Sequence, residues 1–126
     1  MTAHALAQTT YGATARTIKT PRDIEYDLLA RITGQLQKAL ADTGPTGFPA
    51  LATAMHENAR LWTVFATDLA DAGNQFPQQL RAQLFYLAEF VLKHTPKVLS
   101  GTAKADALVD INLAVMRGLR GQGAGA

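Results

Sequence analysis

The sequence predicts an all-α fold, a single-domain helical bundle of about four main helices with a possible short N-terminal helix. A chain of 126 residues fits one domain of ordinary size. A hydrophobic content of 48% excludes wholesale disorder. Ala and Leu greatly outnumber Val and Ile, and this balance favours helices over strands. Short predicted loops indicate antiparallel neighbouring helices.

Residues 1–19 predict an N-terminal arm or short helix, ahead of a bundle domain over residues 20–119. A thin apolar stripe at helical spacing is formed by Leu6, Ala7, Thr10, Tyr11 and Ala15. A short helix of this kind is marginal in water unless it packs against something.

The first strong helix start is Thr20-Pro21-Arg22-Asp23, with Thr20 as the N-cap and Pro21 at the first helical position. Apolar residues then recur every four positions, at Ile24, Leu28, Ile32, Leu36 and Leu40. This stripe predicts an amphipathic helix that ends near Asp42.

Two further helices follow a linker at residues 43–49, which contains two Gly and two Pro. The second is expected to begin after Pro49 and to end near Ala72-Gly73, where Gly73 would take a left-handed conformation. The third begins at Phe76-Pro77, and Ser100-Gly101 ends it. Pro96 predicts a kink or break near His94-Thr95.

The last helix is predicted over Lys104 to Leu119, and residues 120–126 are predicted to be a flexible tail. The apolar stripe of this last helix, predicted to face the core, consists of Leu108, Ile111, Val115 and Leu119. Asn112 either bonds to a neighbouring helix or faces water, and the spacing alone leaves both open.

Charge and cysteine content exclude several classes of function. Twelve Lys and Arg against ten Asp and Glu give a net charge of +2, which is no dense cationic surface, so RNA contact is not expected. The absence of Cys excludes disulfides and thiolate chemistry. The longest apolar stretch, Leu84 to Leu92, is about half of the roughly 20 residues that span a membrane. We therefore expect a cytoplasmic protein with no membrane segment.

No motif of enzymatic or metal chemistry is visible in the sequence. His4, His56 and His94 lie far apart and form no paired-ligand spacing. Carboxylate pairs such as Asp68/Asp71 lie near predicted helix ends, where capping explains them. We expect no catalytic residue, no cofactor and no metal, so the chain is not predicted to be an enzyme.

One apolar cluster has two interpretations. Trp62 lies one turn after Asn58, and Phe65 and Leu69 continue the same face. A lone Trp is more often part of the core, but Trp is also over-represented at binding hot spots. In the second interpretation a hydrophobic groove would be formed by Leu61, Trp62, Phe65 and Leu69, with Leu84 and Phe85 nearby.

Several short patterns follow one another along the chain: Pro21-Arg22-Asp23-x-Glu25, Asn58-x2-Leu61-Trp62-x2-Phe65-x2-Asp68-Leu69, Asn74-x2-Pro77-x2-Leu80-Arg81-Ala82, Val91-x2-His94, Val98-Leu99 and Asp110-Ile111-Asn112-x3-Met116-x-Gly118-Leu119, with Tyr11 ahead of them. In this order and spacing, over about residues 11–119, they resemble the flagellar biosynthesis regulator FlaF family. Pro96 and the Ala/Gly-rich tail depart from this pattern.

The resemblance implies a bacterial, cytoplasmic, non-enzymatic protein of flagellum assembly. Such a protein promotes flagellin production, acts with or against the translational regulator FlbT, and binds flagellin in the manner of a secretion chaperone. An apolar groove on a helical domain suits an amphipathic partner helix. The resemblance also makes Arg22 and Glu25 candidate partner contacts, although they are equally explained as a weak ion pair at a helix start.

The alternative hypothesis is a translation regulator that acts through a repressor protein or through flagellin mRNA. Its contact would be the mild basic excess of residues 76–105, where Arg81, Lys93, Lys97 and Lys104 face Glu89 alone. An ordinary solvated face explains these charges more simply. The particular flagellin and the oligomeric state do not follow from the sequence.

Overall fold

The chain folds into an all-α bundle, as predicted. The computed structural model describes residues 21–125, with side chains over residues 26–119. Those residues contain four helices and no strand: α1 (Pro21–Ala41), α2 (Gly47–Ala70), α3 (Gln78–Leu99) and α4 (Asp106–Gly125). The predicted arm at residues 1–19 and the capping role of Thr20 lie outside the described residues.

The helices pack as antiparallel neighbours, but α3 and α4 do not pack closely against each other. The closely packed pairs in the described part are α1 with α2, α2 with α3, and α1 with α4. The short connections at residues 42–46, 71–77 and 100–105 make consecutive helices antiparallel. Helices α3 and α4 are not among the closely packed pairs, so a gap separates them.

All four helices contribute to the core. Fully buried large side chains come from α1 (Leu36), α2 (Met55, Trp62), α3 (Val91) and α4 (Leu108). Burying each of these apolar side chains contributes roughly 1.5–3 kcal/mol to folding. Of the predicted apolar stripe of α1, Ile32 and Leu36 are buried, Leu28 is half-buried and Leu40 is exposed.

Helix α2 begins at Gly47, so the prediction that it begins after Pro49 is wrong by three residues, nearly one turn. A proline is tolerated in the first turn because its missing N–H would have no partner there. Asp42 organises the turn: its carboxylate accepts hydrogen bonds from the Gly44 N–H (2.9 Å) and the Thr46 hydroxyl (2.6 Å). These bonds hold the pKa of Asp42 below its ordinary value.

Gly47 is required by the closeness of this turn. A Cβ atom at Gly47 would overlap the carbonyl oxygen of Asp42. No flexible side chain can move to relieve that contact, because the obstructing atom belongs to the backbone. The turn at residues 42–46 therefore has a fixed geometry, whereas Gly47 and Pro49 of the predicted linker lie in α2.

The end of α2 also differs from the prediction. The helix ends at Ala70, and Asp71 has extended backbone angles (φ −70°, ψ 134°). Gly73 does not take the predicted left-handed conformation, since Gly101 is the only described residue with positive φ. The Asp71 carboxylate accepts a hydrogen bond from the Gly73 N–H at 2.9 Å, which forms the turn without a left-handed residue.

Helix α3 runs unbroken through Pro96, so the predicted break near His94-Thr95 is wrong. The Ser100 N–H still donates to the Pro96 carbonyl oxygen at 2.9 Å, and the Thr95 hydroxyl donates to the Val91 carbonyl at 2.7 Å. Only about one turn follows Pro96, and the proline itself removes a single backbone donor. The remaining bonds therefore carry the helix to Leu99.

The predicted stop at Ser100-Gly101 is confirmed. Gly101 has a φ of +83°, the Thr102 N–H donates to the Lys97 carbonyl at 2.9 Å, and the Gly101 N–H donates to the Val98 carbonyl at 3.0 Å. This pair of bonds is a Schellman motif, in which glycine relieves the steric cost of the left-handed residue.

Replacing Gly101 with alanine is expected to lower the free energy of unfolding by about 1–2 kcal/mol, the cost of a left-handed Cβ. Gly34→Ala is the matched control, since a Cβ at Gly34 meets nothing within 4 Å. Gly34 lies within α1, where alanine is favoured over glycine by up to about 1 kcal/mol. Urea unfolding followed by circular dichroism measures both. Equal stability changes in the two variants would contradict this account of the motif.

Helix α4 starts at Asp106 rather than Lys104 and reaches Gly125, past the predicted end at Leu119. The residues predicted as a flexible tail from position 120 are thus helical up to Gly125. Extending an existing helix fixes one residue per added hydrogen bond and needs no new nucleus. The glycines of the tail weaken that extension but do not forbid it.

Candidate functional site

Most of the predicted groove residues lie in the core. Trp62, Phe65 and Leu69 are 0%, 4% and 2% exposed, and Leu84 is also buried. The rings of Trp62 and Phe65 pack together, with centroids 5.5 Å apart. In this conformation these four side chains stabilise the bundle and are not available to a partner. Leu61 is half-buried and packs against the core.

Trp62 is the centre of a buried hydrogen-bond network between α2 and α4. Its indole N–H donates to the Asn112 side-chain oxygen at 2.9 Å, and the Asn112 amide nitrogen donates to the Asn58 side-chain oxygen at 2.8 Å. All three residues are completely buried. Of the two alternatives left open for Asn112, the bond to a neighbouring helix is therefore the one observed.

This network fixes the register of α4 against α2. Asn58 and Trp62 are one turn apart, so Asn112 bridges two successive turns of the same face. Buried amides without partners are costly, so sliding α4 by one turn would break both bonds at once. One donor is still unused: the amide nitrogen of Asn58 is buried and has no hydrogen-bond partner.

Arg81 caps the C-terminal end of α2. Its Nε and Nη2 atoms donate to the Leu69 carbonyl oxygen at 3.2 and 2.9 Å, and Nη2 also donates to the Asp71 carbonyl at 3.2 Å. Helix C-termini leave carbonyl groups without intrahelical partners, and a cation there also meets the negative end of the dipole. From the sequence, Arg81 was assigned to a basic surface. Its contact with the Leu69 carbonyl spans twelve positions, so helical spacing does not reveal it.

Asn74 stabilises the same connection between α2 and α3. Its amide nitrogen donates to the Asp68 carbonyl at 3.2 Å, and its side-chain oxygen accepts from the Phe76 N–H at 2.9 Å. Asn74 and Arg81 are both positions of the quoted pattern, so that part of it is explained by capping of α2.

Arg22 and Glu25 lie in the first turns of α1. Their side chains lie outside the described residues, so their role as partner contacts stays a prediction.

Exposed aromatic side chains are concentrated on α3. The exposed large hydrophobic residues of the described part are Phe85, Tyr86 and Phe90 on α3, and Leu40 and Phe48 elsewhere. Tyr86 is 71% exposed, and the Phe90 ring stacks on His94 with centroids 5.0 Å apart. His94 in turn donates from Nε2 to the Lys104 carbonyl oxygen at 2.8 Å. Tyr86 and Phe90 lie one turn apart, and we call these two residues the α3 aromatic face; Phe85 lies about 140° around the helix from Phe90.

An apolar groove lies beside this face, in the gap between α3 and α4. It encloses about 170 Å³. Its lining consists of Leu80, Gln83, Leu84 and Leu87 from α3 and Ala114, Val115, Gly118 and Leu119 from α4. Gln83, Tyr86 and Phe90 follow helical spacing along one face of α3, so the aromatic face borders the groove. We call this feature the α3–α4 groove.

The basic excess of residues 76–105 is dispersed. Arg81 caps α2, and Lys93 lies 4.0 Å from Glu89 in an exposed ion pair. Lys97 and Lys104 are exposed. Two of the four cations therefore already have partners within the chain.

Within residues 21–125, no helix combines the length and the apolar character needed to cross a bilayer. No curated protein sequence and no solved structure is significantly similar to the chain. The sequence model of the family described as "Flagellar protein FlaF" matches residues 7–119. That match spans all of α1, α2 and α3 and most of α4. The chain therefore belongs to the FlaF flagellar protein family.

Proposed function

We propose that this chain promotes flagellin synthesis and binds flagellin directly as a chaperone-like module, with the α3 aromatic face as the contact surface. The FlaF family membership supports a flagellar role. The observation that carries the proposed contact is the pair of exposed aromatic side chains one turn apart on α3, Tyr86 and Phe90. Clustered exposed apolar side chains are typical of protein interaction sites.

The α3 aromatic face suits an amphipathic helix. Tyr86 and Phe90 are one turn apart, and a partner helix lying along α3 would cover both rings with one apolar stripe. Tyrosine and phenylalanine supply large contact areas with few rotatable bonds, which lowers the entropy cost of binding. A flagellin terminal helix has the required character, and its apolar face needs cover until assembly.

Flagellin binding would also connect the amount of unexported flagellin to the rate of flagellin synthesis. The translational regulator FlbT is the second partner in this proposal, and occupancy of α3 by flagellin would report how much subunit awaits export. The surface for FlbT would be separate from the α3 aromatic face, so that both partners can be sensed. The dispersed cations give less support to an RNA contact, since phosphate binding is strengthened by clustered Lys and Arg.

Single substitutions on the α3 aromatic face are expected to weaken flagellin binding about 30-fold, the effect of losing a hot-spot residue worth about 2 kcal/mol. The variants are Tyr86→Asp and Phe90→Asp, which place a charge against the apolar stripe of the partner. The matched control is Phe48→Asp, because Phe48 is 59% exposed and lies in the first turn of α2. Titration calorimetry measures the dissociation constants.

Native circular dichroism in all three variants is the accompanying result, since each ring is exposed in the folded chain. Unchanged affinity in both α3 variants would contradict the assigned surface. Loss of affinity in Phe48→Asp alone would place the contact at the start of α2. Affinity for flagellin mRNA that falls steeply with salt, without flagellin binding, would favour the translation-regulator alternative.

A further inference from the structure

The buried network of Trp62, Asn112 and Asn58 ends in a free donor, and the tryptophan determines which atom that is. An indole N–H can only donate, so the Asn112 side-chain oxygen must be the atom that accepts from it. The Asn112 amide nitrogen then donates to the Asn58 side-chain oxygen. The free end of the network is therefore the Asn58 amide nitrogen, which is buried and has no hydrogen-bond partner among the described residues.

Thr33 in α1 is a second buried polar group of this kind. The residue is 2% exposed, and its side-chain oxygen makes no hydrogen bond within the described part of the chain. The other threonines of the described helices donate to the carbonyl oxygen four positions earlier: Thr53, Thr63, Thr67 and Thr95. Because the Thr33 hydroxyl makes no such local bond, it is available to a group on another helix.

The topology places Thr33 beside the network. Helix α1 packs closely against both α2 and α4, and the end of α1 and the starts of α2 and α4 lie at one end of the bundle. Thr33 is eight residues from the end of α1, Asn58 is eleven from the start of α2, and Asn112 is six from the start of α4. At 1.5 Å per residue, these positions lie about 12, 17 and 9 Å from that bundle end. Thr33 is therefore at the depth of the bond between Asn58 and Asn112.

We propose that one water molecule is bound between the Thr33 hydroxyl and the Asn58 amide nitrogen, and that it joins α1 to the network between α2 and α4. The water accepts a hydrogen bond from the Asn58 N–H and donates one to the Thr33 side-chain oxygen. A water about 2.9 Å from each atom connects atoms up to about 5.8 Å apart, and the difference in depth between the two residues is about 5 Å. Internal waters in proteins typically satisfy buried polar groups in this way.

The bound water extends the polar contacts of the core to a third helix. Asn112 already joins α4 to α2, and the water gives α1 a directional contact at the same depth. Apolar packing alone tolerates small shifts of one helix along another, whereas a hydrogen bond is lost when its atoms separate. This site concerns the assembly of the bundle and does not depend on flagellin binding.

Thr33→Val tests the proposal, because valine keeps the shape of threonine and replaces the hydroxyl with a methyl group. The variant is expected to raise the equilibrium constant of unfolding about ten-fold, since the Asn58 amide loses its acceptor. Thr63→Val is the matched control: Thr63 is exposed and bonds within its own helix, so the constant should change by no more than about two-fold. Urea unfolding followed by Trp62 fluorescence measures both variants.

A hydroxyl that binds nothing gives the opposite sign, because its removal relieves the cost of a buried polar group. An unchanged or lower unfolding constant in Thr33→Val would therefore overturn the proposal. In an Asn58→Leu background, Thr33→Val should lose most of its effect. An undiminished effect there would overturn the pairing of Thr33 with Asn58.

A high-resolution crystal structure of the full-length chain tests the site without any variant. The expected result is density for one water within about 3.2 Å of both the Thr33 side-chain oxygen and the Asn58 amide nitrogen. A direct bond between the two side chains would overturn the proposal. A Thr33 hydroxyl that donates to the Leu29 carbonyl oxygen, with no density between Thr33 and Asn58, would overturn it as well.

Discussion

Replacing Asn112 with alanine is expected to lower the free energy of unfolding by about 3–5 kcal/mol. The change leaves the buried Trp62 N–H and the Asn58 side-chain oxygen without partners, and each such group costs about 1–3 kcal/mol. The cavity left by the missing amide adds to this loss. Urea unfolding followed by fluorescence is a direct measurement, because Trp62 is the only tryptophan and belongs to the network.

Asp110→Ala is the control for this experiment, since Asp110 is exposed on the same helix and its loss should change stability by no more than about 0.5 kcal/mol. The emission of Trp62 should change in Asn112→Ala and stay native in the control. A loss below about 1 kcal/mol in Asn112→Ala would contradict the assignment of this network as the register-setting contact between α2 and α4.

Replacing Arg81 with alanine is expected to lower the free energy of unfolding by about 2 kcal/mol. The guanidinium donates to the carbonyl oxygens of Leu69 and Asp71, and hydrogen bonds that involve a charged group contribute about 1.5–3 kcal/mol. Arg81 is half-buried, so solvent replaces part of this interaction when it is lost. Thermal or urea unfolding followed by circular dichroism measures the effect.

Two further variants separate capping from general charge. Arg81→Lys should recover only part of the stability, because an ammonium group cannot reproduce the fork that meets Leu69 through two nitrogens. Lys97→Ala, an exposed position on the same helix, should be nearly neutral. Equal losses in Arg81→Ala and Lys97→Ala would show that net charge, and not the capping contact, stabilises the end of α2.

The helices were predictable because their signals are local. The apolar stripe of α1, which repeats every four positions, and the helix end at Ser100-Gly101 depend on residues within a turn or two of each other. Two of the errors arose where a contact that hydrophobic spacing does not report decides the geometry. Gly47 lies against the Asp42 backbone, which moves the start of α2, and Arg81 reaches back twelve positions to close α2.

The candidate site was predictable only in part, for the same physical reason. Helical spacing places Trp62, Phe65 and Leu69 on one face but does not say whether that face meets another helix or water. Here the face is buried in the core, and Asn112 of α4 accepts the hydrogen bond of the indole N–H. Phe85 was the one predicted groove residue that is exposed. Tyr86 and Phe90 lay outside the inward stripe of α3, and a search for large apolar residues off that stripe would have found them.

The most direct test of the proposed flagellin contact is calorimetric titration of the full-length chain with the flagellin of its own organism, at two salt concentrations. Full-length flagellin is compared with flagellin that lacks its terminal helices. The proposal predicts saturable binding that changes little with salt, since the contact is apolar, and that disappears with the deletion. Absence of heat and of a complex on a sizing column, with both proteins folded, would contradict direct flagellin binding.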